Sequence, residues 1–110
     1  MPNLVNIPVP ATVSAGTAVS LNKTPLLGGK GREGKLSLPT AGLGTGVVQL
    51  QGAPKPAAGG VPANGDYTTL MTLNSSSAAM IEILDLPDFI RANVTTAPAA
   101  ATNLILEGVQ

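Results

Sequence analysis

Glycine and proline interrupt this chain so often that no helical stretch of ordinary length survives between them: 13 glycines and 10 prolines fall within 110 residues. Inside a helix each glycine costs about 1 kcal/mol relative to alanine and each proline about 3. What the punctuation leaves are runs of strand length, and several of them alternate with period two. Ala18 to Leu21 puts Val19 and Leu21 on one face, and Lys35 to Leu38 does the same with Leu36 and Leu38. Val47 to Gln51 turns Val48 and Leu50 inward and Gln49 and Gln51 outward. Tyr67 to Leu73, Ala79 to Leu86, Phe89 to Thr95 and Thr102 to Glu107 follow, separated by turn-rich segments. In the third of these, Ile90, Ala92 and Val94 alternate with Arg91, Asn93 and Thr95, which defines a dry and a wet face. A helix over Ser76 to Leu86 is the competing reading, but β-branched Ile81 and Ile83 and the closing Pro87 favour a strand.

About eight short strands in one chain of this length predict an all-β fold, a two-sheet antiparallel sandwich of jelly-roll type. One domain is expected over residues 18–110. Residues 1–17 before it read as an extended arm or edge strand, since Pro8 weakens the apolar run Leu4 to Val9. The composition is 44% hydrophobic but only 2% aromatic, so the core is expected to be aliphatic and thin, and to gain from an oligomer. Two segments stand out as excursions from this framework. Gly28 to Gly34 is a basic, glycine-rich loop, and Gly52 to Asp66 is far longer than an ordinary hairpin turn.

The inventory of reactive groups is short. Without histidine the chain lacks the commonest general base and zinc ligand, and without cysteine it lacks thiol nucleophiles and disulfides. Among the six carboxylates only Asp85 and Asp88, flanking Leu86-Pro87, could meet at a turn and hold a hard cation; solvated turn residues are the plainer reading. Residues 29–35, GKGREGK, match the core of a phosphate-binding loop, but Leu36 stands where a magnesium-binding hydroxyl belongs and no helix follows. Asn93-Val94-Thr95 and Asn74-Ser75-Ser76 are glycosylation sequons with no secretory signal before them. No enzyme activity and no cofactor are therefore expected. Six basic and six acidic side chains cancel, which argues against nucleic acid as a partner. No apolar run approaches the roughly 18 residues of a membrane span, so no membrane partner is expected.

Val48 to Gly52 (VQLQG), Tyr67 to Leu73, Leu86 to Val94 (LPDFIRANV) and Leu104 to Gly108 (LILEG) together resemble a pattern in small virion proteins of tailed bacteriophages. The resemblance spans about residues 46–109, with most of its weight on Leu86 to Thr95; the long loop Gly52 to Asp66 replaces a short acidic turn. It implies a β-sandwich that decorates or cements a capsid. The major capsid protein and further copies in a trimer or dimer would be its partners, and the outer capsid surface its place after synthesis in the host cytoplasm. The alternative is a fibre or tail module that binds host-surface carbohydrate. For the cement reading the candidate interface residues are Leu4, Val5 and Ile7 in the N-terminal arm, with Lys30, Arg32 and Lys35 around the basic loop meeting acidic groups of a neighbour.

Overall fold

A computed structural model describes residues 3–21, 33–38, 43–77, 80–84 and 86–109. Its strands are β1 (Asn3–Val9), β2 (Val19–Ser20), β3 (Glu33–Ser37), β4 (Val47–Ala53), β5 (Thr68–Leu73), β6 (Met80–Leu84), β7 (Phe89–Thr96) and β8 (Thr102–Val109). Each expected run is a strand, and the helix alternative for Ser76 to Leu86 gives way to β6 over Met80–Leu84.

The pairings are nested. β4 pairs with β5, β3 with β6, β2 with β7 and β1 with β8, all antiparallel, as in one long hairpin whose tip is the β4–β5 loop. Rolling that hairpin brings β3 against β8 and β4 against β7. The outcome is two four-stranded sheets, ordered β1-β8-β3-β6 and β2-β7-β4-β5. This winding makes the protein an eight-stranded jelly roll. Residues 3–9 are the outer strand of the first sheet.

Period-two alternation sets what each sheet buries. Val9, Leu36, Leu104 and Leu106 from the first sheet meet Val48, Leu50, Leu73, Ile90, Ala92 and Val94 from the second. Ile7 is buried with them. No aromatic belongs to this core, and the shortest extent of the molecule is 17 Å, in keeping with two sheets about 10 Å apart filled by aliphatic side chains.

After β1 the chain crosses to the second sheet and lies along the open edge of β7. The Val94 N–H donates to the Ser14 carbonyl at 2.9 Å, the Gly16 N–H to the Ala92 carbonyl at 2.7 Å and the Leu21 N–H to the Asp88 carbonyl at 2.8 Å. The edge of β7 is thus protected by backbone rather than by a charged side chain.

Candidate docking surfaces

The two outer faces differ in chemistry. On the second sheet, Gln49, Gln51, Arg91 and Asn93 project outward from β4 and β7, which place Gln49 opposite Asn93 and Gln51 opposite Arg91. These groups bond one another. Arg91 Nε donates to Gln51 Oε1 at 2.9 Å, and Asn93 Nδ2 donates to Gln49 Oε1 at 3.0 Å. Gln51 Nε2 donates to Thr69 Oγ1 at 3.3 Å. Asn93, the sequon residue, is therefore a strand residue engaged with its neighbour.

Sequence alternation places Gln51 on the wet side, yet it is 9% exposed, and Phe89 is 8% exposed. The reason is the loop after β4, which folds back over this face. Arg91 holds it: one terminal nitrogen donates to Asn64 Oδ1 at 2.5 Å, and the guanidinium carbon lies 3.9 Å from the centre of the Tyr67 ring. At the other end the Lys55 N–H donates to Asp88 Oδ2 at 2.7 Å. Within the loop the Ala63 N–H donates to Asp66 Oδ2 at 2.9 Å, and Gly59 and Gly60 adopt the left-handed conformation that favours glycine. Burial pushes the Tyr67 phenol above its ordinary range; Arg91 pulls it down and Asp66 pushes it up. Beside the loop is an open groove of about 830 Å³ lined by Val19, Lys55, Val61 and Phe89 among others.

A planar fork that stacks on one group and bonds two others is not reproduced by an ammonium. Arg91→Lys is expected to lower stability by about 1–2 kcal/mol and to speed amide exchange across residues 54–67 before the rest of the chain. Hydrogen–deuterium exchange by mass spectrometry is the check.

The outer face of the first sheet carries no such loop among the described residues. Register aligns Leu4, Glu107, Lys35 and Glu82 in one row across β1, β8, β3 and β6. The next row is Asn6, Ile105, Ser37 and Met80. Leu4 is 62% exposed, Met80 55% and Ile105 40%. Three large apolar side chains thus share a sheet face with an alternating acid–base–acid row.

Of the candidate interface residues, Leu4 and Lys35 come together here, on one row. Ile7 points the other way and is fully buried, and half-buried Val5 packs against the same core. Because β1 is a paired strand, Val5, Ile7 and Val9 belong to the core and are not offered to a neighbour. Lys30 and Arg32 lie outside the described residues. Glu33 to Lys35, the end of the phosphate-loop-like match, are in strand β3 and open no helix. Asp85 also lies outside the described residues; the Asp88 carboxylate accepts the Lys55 N–H. Among the described residues no three His, Cys, Asp or Glu side chains gather in a metal-binding group. The signal for Met80 and Ile105 was present in the strand alternation; their shared row depends on register.

These features define a jelly roll with one polar outer face under a loop and one mixed outer face that no loop among the described residues covers. Comparison with protein-family models, with curated proteins and with solved structures finds no match to this chain.

Proposed function

We propose that the chain is a structural protein of a bacteriophage particle, which decorates or cements the capsid by binding the major capsid protein and further copies of itself, without catalysis. The observation that carries this reading is the uncovered face of the β1-β8-β3-β6 sheet. A face that mixes exposed Leu4, Met80 and Ile105 with Lys35, Glu82 and Glu107 suits contact with protein, since apolar area supplies affinity and charge sets orientation. Many weak contacts made at once on a repeating lattice then add up to firm attachment. The sequence resemblance to small phage virion proteins supports the setting.

The jelly roll itself serves both capsid and lectin proteins, so fold alone does not decide between cement and carbohydrate binding. The second reading looks to Tyr67 and the amides beside it. Arg91 already covers one face of that ring, and Gln49, Gln51 and Asn93 bond each other, which leaves little free to grip a sugar.

Heads assembled from the major capsid protein of the same genome, with and without this chain, provide the test. Co-sedimentation at stoichiometric occupancy, with a raised melting temperature of the heads, is expected. Heads that take up none of the chain sink the proposal, and binding on a glycan array would then favour the alternative.

A further inference from the structure

We infer that the uncovered face of the first sheet is where two copies of this chain meet, face to face, about a two-fold axis lying parallel to the strands between β8 and β3. This deepens the cement reading by assigning the contact between copies to named residues.

The argument rests on the order of side chains across the face. One row reads Leu4, Glu107, Lys35, Glu82, so its two central members carry opposite charge. A two-fold axis midway between β8 and β3 reverses the row onto itself. Lys35 of each copy then faces Glu107 of the other, and the contact occurs twice, as an isologous interface requires. In the next row the two copies of Ile105 come side by side at the axis. Leu4 of one copy, at the β1 margin, faces Glu82 of the other and lies a row's spacing from its Met80, at the β6 margin. The two Ile105 side chains thereby cover each other, and Leu4 and Met80 come near each other at the margins. Glu82 and Glu107 flank Lys35 within one chain and leave its row with one more carboxylate than ammonium; a second Lys35 supplies a facing cation for Glu107.

Other surfaces fit a second copy less well. The polar groups of the second sheet's outer face are engaged with one another and with the loop above them. The edge of β5 (Thr68–Leu73) is uncharged, but a register irregularity at Leu50/Gln51 interrupts its ladder, and a bulge of this kind opposes strand addition.

Four strands about 4.8 Å apart offer roughly 400 Å² of flat face per copy, about half of what each partner buries in a standard interface. The dimer is therefore expected to be weak in solution, with dissociation in the micromolar range or above, and strengthened where copies are held close on a lattice.

Sedimentation velocity of the purified chain from about 10 μM to about 1 mM tests this. Concentration-dependent dimerisation is expected, with Lys35→Glu and Glu107→Lys each weakening it about tenfold or more. An equimolar mixture of the two single variants should restore association, because the mixed pair sets a carboxylate at position 35 against an ammonium at position 107 at one contact and keeps the native Lys35–Glu107 pair at the other. Loss of folding does not reverse on mixing, so recovery identifies the pair. Ile105→Lys, which places like charges at the axis, should dissociate the dimer independently, with circular dichroism reporting an intact fold. A chain that stays monomeric to about 1 mM overturns the inference. So does a dimer unmoved by Lys35→Glu, Glu107→Lys and Ile105→Lys, or a mixture that fails to associate when both variants are folded. Binding to heads is scored separately: a monomer that still coats heads keeps the cement function and ends this inference, and a dimer that ignores heads does the reverse.

Discussion

A chain lacking residues 1–9 is expected to be unfolded or aggregated at 25 °C, and not to persist as a sandwich that has merely lost a docking arm. β1 buries Ile7 and Val9 almost completely and packs Val5 against the same core. Burying each such side chain is worth about 1.5–3 kcal/mol, so the strand carries on the order of 5–8 kcal/mol of apolar burial. A domain of this kind has only about 5–15 kcal/mol of net stability. Removing β1 also opens one edge of β8 from Thr102 to Gly108, next to Leu104 and Leu106. An apolar, uncovered strand edge promotes association between chains. Circular dichroism and size-exclusion chromatography of the truncated protein are the measurements. A cooperative melt within a few degrees of the full-length chain would show that β1 is dispensable. The outward residues of the same strand should behave differently: Leu4→Ala and Asn6→Ala are each expected to change stability by no more than about 0.5 kcal/mol. Loss of particle binding by a truncated chain would thus report unfolding, whereas a substitution at Leu4 reports the surface.

The second large effect is expected at Gly16. A Cβ there would lie 2.5 Å from the Pro8 carbonyl oxygen and 3.0 Å from that of Ala92, with Pro10 Cδ at 3.2 Å. Pro8 belongs to β1 of one sheet and Ala92 to β7 of the other, so Gly16 passes where the backbones of both sheets close in on it. Neither oxygen can swing aside as a side-chain tip would, and the Gly16 N–H is already committed to Ala92 at 2.7 Å. Gly16→Ala must therefore separate the strands or break that bond, at an expected cost of about 2–4 kcal/mol. In a domain of this size that lowers the melting temperature by roughly 10–20 °C. Gly65→Ala is the matched control, because nothing lies within 4 Å of the added carbon. Thermal unfolding of the two variants side by side should separate them clearly. Equal melting temperatures would mean that the crossing segment relaxes at little cost.

The interface residues expected from sequence divide for a reason visible in β1. Leu4, Val5, Ile7 and Val9 are all apolar, so the run leaves both faces open to either assignment; pairing with β8 sends residues 5, 7 and 9 inward and Leu4 to the surface. Gln51 shows the converse. Its outward orientation follows from alternation, but its burial depends on a loop whose Gly, Pro and Ala content carries no hint of where it lies. Asn64 and Tyr67 meet Arg91 from 27 and 24 positions away along the chain, and only the return of that loop brings them together.

The kind of structure is legible in the residues alone: strands in place of helices, their approximate limits, the dry side of each and an aliphatic core. These are local properties, set by glycine and proline spacing and by period-two alternation. Tertiary structure alone decided the nested pairing, the row that joins Leu4 to Lys35, the enclosure of Gly16 and the covering of the second sheet's outer face. Each of these depends on which distant strands become neighbours and in what register, and that choice is made by the joint burial of both sheets.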